Sequence, residues 1–297
     1  EPLWDQPALV AEVEAGSHYL PGSATGKRET MVTSPVGAEP RYLLLLPTDS
    51  WWPLVAALGT AGFFLLLTVK MTLTAWTCAM VAVIAIIAWL WQSDRPPPMA
   101  TAKVSDTLTL PIGATGAASP SWWATVIMLV VDATVFASFV FAYIHVSMRL
   151  TVCPPPNAAL AEPLWPLLSC GLLLAGSALI VLSKRAIGSR ILPWLVLAAL
   201  ACMAAAFACD FNGHRLAGLD PTRQAWSATV AAMLAYQGLH VAGMVLAGLY
   251  LCARAWSGHV GQRSRATLDN TALMWHYTTL QGIAASVAIH LVPKLMG

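Results

Sequence analysis

The run VVDATVFASFVFAYIH, Val130 to His145, holds a single carboxylate, Asp132, in a segment that is otherwise almost continuously apolar. Every other acidic residue reads as belonging to a tail, a loop or a segment end. A carboxyl group inside an apolar segment is costly unless it is paired, hydrogen-bonded or neutral, which makes it a candidate for function. One helical turn away stand Met128, Leu129, Val135 and Phe136, none of which can hydrogen-bond to it. Its partner must come from another helix, a lipid or water, or else the acid is protonated. The chemistry open to it is lipid or proton handling, or a neutral hydrogen bond between packed helices.

Few other residues could do chemistry. His240 lies in YQGLHVAGMVLAGLYL, where Gly238 with Ala242 and Gly243 with Ala247 form small-xxx-small pairs that let a neighbouring helix come close. Arg254 ends that segment, where a guanidinium can hold a phosphate bidentately or serve as a plain positive anchor. Trp275 and His276 open the last segment and read as interfacial packing residues. His145 and His290 fall at segment ends, and His214 reads as a loop residue, so none matches the depth of His240 as a haem partner. The six cysteines are scattered without a CxxC pair. No phosphate loop, nucleophile elbow or HExxH helix occurs, so no residue is assigned a catalytic role and no metal ligand is named.

The elements that position these residues follow from composition. The 297 residues are 58% hydrophobic and only 10% charged, where soluble chains carry about 25% charged residues. Apolar runs long enough to cross about 30 Å of hydrocarbon fall near 52–69, 72–91, 122–147, 163–182, 191–209, 226–252 and 272–292. The expected fold is all-α and polytopic, with seven transmembrane helices: a two-helix unit at 51–92 and a five-helix bundle at 122–297. Only Lys70 and Met71 separate the first pair, which demands a tight helical hairpin. Tryptophans at many segment ends, among them Trp51, Trp123, Trp194, Trp226, Trp256 and Trp275, read as an interfacial belt. Residues 1–50 read as an irregular polar arm without a core of its own, and 93–121 as a Pro/Gly/Thr-rich connector. With no initiator Met and no signal peptide, the chain reads as a piece of something longer or a processed product.

Depth arithmetic joins two of the candidates. Asp132 lies about 15 Å past Trp122, and His240 about 18 Å from Cys252, at 1.5 Å per helical residue. If the third and sixth helices are neighbours, the two side chains lie within a turn of each other in depth. They are expected to form a buried pair, either neutral or ionic.

Four stretches together resemble subunit III of the haem–copper cytochrome c oxidases: SWWATVIMLVVDATVFASFVFAYIH, LLSCGLLLAGSALIVLSKRA, YQGLHVAGMVLAGLYLCAR and ATLDNTALMWHYTTLQG. The likeness covers about residues 110–292 and is greatest to chains in which subunit III is fused behind subunit I. Asp132 stands where the family usually has Glu, and Thr279 where it commonly has Asp. The resemblance implies an accessory, redox-centre-free part of a terminal oxidase that passes electrons from cytochrome c, or a quinol, to oxygen and pumps protons. Haem and copper are then expected in the partner catalytic subunit, not in this chain. The implied partners are subunits I and II and bound phospholipid, with Asp132, His240 and Arg254 serving lipid binding or proton uptake. The implied location is the bacterial inner membrane. A stand-alone transporter or proton channel built on Asp132 and His240 is the other reading, although the repeats or broken helices expected of a transporter are not seen.

The formal net charge of +2 gives no reason to expect a nucleic-acid partner. The 16 Lys and Arg residues do set an orientation. With a cytoplasmic N-terminus, 11 of the 16 fall inside: Lys27, Arg28, Arg41, Arg95, Lys103, Lys184, Arg185, Arg190, Arg254, Arg263 and Arg265. Lys70, Arg149, Arg215, Arg223 and Lys294 make up the 5 outside. Protease added to inside-out vesicles should therefore remove residues 1–50 first. Protection of that arm, with cleavage at Arg215 instead, would reverse the orientation.

Overall fold

The computed structural model describes residues 5–15, 29–47, 49–93, 100–156, 158, 160–262 and 264–296. Lys27, Arg28, Arg95 and Arg263, counted above for orientation, lie outside the described residues. The helices are α1 (Leu9–Glu14), α2 (Trp52–Thr68), α3 (Thr72–Ser93), α4 (Pro120–Met148), α5 (Leu164–Arg185), α6 (Leu192–Leu216), α7 (Ala225–Trp256) and α8 (Ala266–Met296). Of these, α3, α4, α5, α6 and α7 are long and apolar enough to cross a bilayer, which makes this a multi-pass helical membrane protein. Helix α2 has 17 residues, about 25 Å of rise. Helix α8 is long but more polar, with Thr271, Thr278, Thr279, Gln281 and Ser286 buried along it.

The chain divides into two compact units, 1–114 and 115–297. In the first, α2 and α3 pack as the expected hairpin. Lys70 takes a left-handed conformation at φ 61°, and the amides of Met71 and Lys70 return to the carbonyls of Leu66 and Leu67 at 3.0 and 3.1 Å. This is the six-to-one, five-to-two pattern that satisfies the last carbonyls of a helix, with a lysine where glycine is usual. Gly59 lets the two helices touch: a Cβ there would lie 2.9 Å from the Ala82 nitrogen and 3.0 Å from the Cys78 oxygen.

The same unit corrects the reading of an all-α chain with a coreless arm. Strands β1 (Glu29–Thr33) and β2 (Pro40–Leu45) form an antiparallel pair, as do β3 (Thr101–Lys103) and β4 (Thr109–Pro111). Leu43 bridges to Ile112, and Leu43, Ala102, Leu110 and Ile112 bury one another as a small core. Arm and connector thus fold together. Strands of three residues are too short to show an alternating pattern in sequence.

In the second unit Pro120 and Pro193 sit in the first turns of α4 and α6, where the missing amide does no harm. Gly218 and Gly258, at φ 78° and 72°, close α6 and α7, with Leu219 and His259 amides returning to His214 and Arg254 carbonyls at 3.1 and 2.9 Å. Helices α7 and α8 each touch three others: α7 packs on α4, α6 and α8, and α8 on α4, α5 and α7. One apolar core joins Ile180, Val196, Met203, Leu251, Leu268 and Trp275; a second joins Tyr143, Trp226, Val230, Met233 and Ile289. Trp226 and Trp275, read above as belt residues, are corrected to core at 1% and 0% exposure. Trp51, Trp123, Trp194 and Trp256 do stay exposed.

Lipid is as apolar as these side chains, so close packing rather than water exclusion holds such helices together. Gly59→Val should therefore wedge the hairpin apart and destabilise it by about 1–3 kcal/mol, the usual cost of overpacking. A lowered thermal midpoint in mild detergent checks this; an unchanged midpoint would contradict the close approach.

Candidate functional site

Three helices converge on one carboxylate. Asp132 projects from α4 towards α7 and α8, which supply Tyr236 and His240, and Tyr277, respectively. The Tyr236 hydroxyl donates to Asp132 Oδ1 at 2.6 Å and the Tyr277 hydroxyl to Oδ2 at 2.5 Å. His240 Nε2 lies 3.0 Å from Oδ2. The structure thus brings together the two side chains matched by depth. Both are largely enclosed, with side-chain exposures of 24% for Asp132 and 17% for His240.

The proton count of the pair follows from the other ring nitrogen. His240 Nδ1 lies 2.9 Å from the Tyr236 carbonyl oxygen, which can only accept, so Nδ1 carries a hydrogen. One further proton is then shared between Nε2 and Oδ2. Wherever that proton sits, the pair is net neutral. Tyr236 fits this arrangement because it precedes His240 by four residues and shares its helix face, with ring centroids 4.7 Å apart. Beside the cluster a cavity of about 310 Å³ is lined by Met128, Leu129, Gly243, Met274 and Thr278 among others.

Gly243 calls for a correction. A Cβ there would meet nothing within 4 Å, so it leaves space beside His240 and brings no helix close. Gly238 does pack tightly, facing the Phe207 ring of α6 at 2.8 Å from an added Cβ.

The remaining candidates lie apart. Arg254 is only 1% exposed, with Nη1 3.5 Å from the Tyr250 hydroxyl and its guanidinium 5.8 Å from that ring's centre. It is therefore sunk into the bundle and does not stand out as a surface anchor. Trp275 is core, and His276 Nδ1 meets Ser177 Oγ at 2.6 Å across α8 and α5. At the same end of the bundle Asp269 binds Arg265 through 2.8 and 3.2 Å contacts and Lys184 at 3.1 Å, tying α5 to α8. The carboxylate raises the Arg265 pKa above its ordinary value by accepting these hydrogen bonds.

Tyr236 and Tyr277 were missed by sequence reasoning, although a hydroxyl four residues before His240 and another in WHYTT were visible. A second polar cluster was missed as well. His214 is not a loop residue: α6 runs on to Leu216, which buries Asp210 and His214 at 7% and 2% exposure. The His214 ring meets that of His290 edge-on, with centroids 5.6 Å apart. Asp210 is thus a second acid inside a helix of membrane-spanning length, contrary to the expectation that Asp132 stood alone in such a run.

No protein-family model matches the chain, and no curated protein matches it.

Removal of Asp132 tests the cluster. Asp132→Ala would strand two tyrosine hydroxyls and His240 Nε2, each costing about 1–3 kcal/mol when buried without a partner. Tyr277→Phe deletes one hydrogen bond and should cost about 1 kcal/mol, with Asp132→Asn falling between. Detergent unfolding midpoints should follow that order; an Asp132→Ala protein as stable as the wild type would show that the cluster holds nothing together.

Proposed function

We propose that this chain is a subunit III-like, redox-centre-free accessory part of a haem–copper terminal oxidase. It spans the membrane seven times, with α2 and α8 as the two further spans and the N-terminus in the cytoplasm of a bacterium. One observation carries the reading: three of the four stretches that resemble subunit III meet at a single carboxylate, through Asp132, Tyr236 with His240, and Tyr277. The cluster acts as a fastening between helices. Its acid is met by three polar partners, and its cavity is walled largely by apolar groups, which suits a static wall beside a catalytic subunit better than a conducting path.

In this reading the electrons pass from cytochrome c, or a quinol, to oxygen in the neighbouring subunit, which carries the haem and copper. The chain contributes durability, support of proton uptake and phospholipid contacts. Affinity purification of this chain with its native neighbours, followed by a reduced-minus-oxidised spectrum and copper analysis, tests the proposal. Haem and copper should accompany the complex and be absent from the chain alone. A complex without them, or a proton conductance when the chain alone is placed in liposomes, would favour the channel built on Asp132 and His240.

A further inference from the structure

The Lys294 end of the bundle holds a cavity that the Asp132 cluster does not use. It lies between α5 and α8 and encloses about 720 Å³, within the range of pockets that take drug-sized ligands. Two small side chains, Cys170 of α5 and Ser286 of α8, line its more buried part and leave room that larger ones would fill. Leu167, Val287 and Leu291 line its outer part at 69%, 49% and 47% exposure, so it opens sideways towards the apolar surroundings of the helices. A cleft that opens into hydrocarbon favours an occupant with an apolar body.

Charge at the rim narrows the choice. Glu162, just before α5 begins, and Lys294, in the last turn of α8, both line the cavity and are both exposed. Among the described residues neither forms an ion pair, with the other or with any third group. Helix α5 starts and α8 ends at this level, so the two charges lie where the headgroups of a bilayer sit. The lysine stem can follow the apolar wall outwards and keep its ammonium among them. A carboxylate and an ammonium held apart match a ligand that carries both charges in reverse. A fatty acid or an anionic lipid would satisfy Lys294 but set its negative charge beside Glu162. A cationic amphiphile would meet the converse repulsion from Lys294.

We propose that this cavity is a site for a zwitterionic phospholipid with a primary ammonium group, that is, a phosphatidylethanolamine. One acyl chain lies along Leu167, Val287 and Leu291, the phosphate meets Lys294 and the ammonium meets Glu162. The primary ammonium matters because its N–H groups donate charge-assisted hydrogen bonds to a carboxylate, whereas a quaternary choline has no such hydrogen. The site includes none of Asp132, His240 and Arg254 and does not depend on the oxidase reading.

The test is native mass spectrometry of the full chain, delipidated in mild detergent and offered equimolar phosphatidylethanolamine, phosphatidylcholine and phosphatidylglycerol with identical acyl chains. The first lipid retained should be phosphatidylethanolamine, about fivefold over each of the others, the factor that one good exposed charge pair provides. Lys294→Gln should abolish that preference. Glu162→Gln should shift it to phosphatidylglycerol, because an unopposed Lys294 then favours a net negative headgroup. Val287→Trp, which fills the opening and leaves both charges in place, should reduce retention of the first lipid whatever its headgroup. Equal retention of the three lipids by the wild type, or a wild-type preference for either of the other two, would overturn the proposal. So would an unchanged preference in Lys294→Gln or Glu162→Gln, or unchanged retention in Val287→Trp.

Discussion

Hydrocarbon cannot solvate a carboxyl group, and the second unit is arranged around that constraint. Asp132 has no donor within reach on its own helix, so the donors come from α7 and α8. Meeting three polar partners at distances of 2.5–3.0 Å fixes how far α4, α7 and α8 can slide or rotate against one another. Apolar packing alone would leave such registers loosely defined, because one apolar contact in lipid resembles another. Directional bonds to a single carboxylate define them sharply.

Helix α8 carries much of the burden. Its buried Thr, Gln and Ser side chains make it the polar spine of the bundle, and it touches α4, α5 and α7. The Asp269 ion pairs anchor one end to α5, while the Tyr143 hydroxyl reaches the Ile289 carbonyl at 3.0 Å near the other. A helix that is less hydropathic than its neighbours can sit in such a bundle because its polar groups face protein.

Helical positions were legible in the sequence wherever apolar runs were long, since hydrocarbon thickness sets a minimum length. Helix ends were not. Reading the fifth run as ending at 209 stopped at the first charged residue, but the backbone stays helical until Gly218 supplies the left-handed turn that ends α6. That slip of two turns concealed Asp210 and His214. The pairing of Asp132 with His240 was accessible because the rise per residue fixes depth. The tyrosines were not, because which side of a helix faces inwards depends on neighbours that a single sequence does not order. Trp226 and Trp275 show the same limit: a tryptophan at a segment end can face lipid or core, and composition is identical in both cases.

The proton inventory of the Asp132–His240 pair has an electrical consequence. A membrane potential does about 2.3 kcal/mol of work on one elementary charge for each 100 mV it crosses. A group titrating alone at that depth would feel the energised state of the cell. With one proton shared between Nε2 and Oδ2, the pair presents a dipole and no net charge, so the voltage exerts torque on it but no net force. The fastening between α4, α7 and α8 is thereby insulated from swings in membrane energisation.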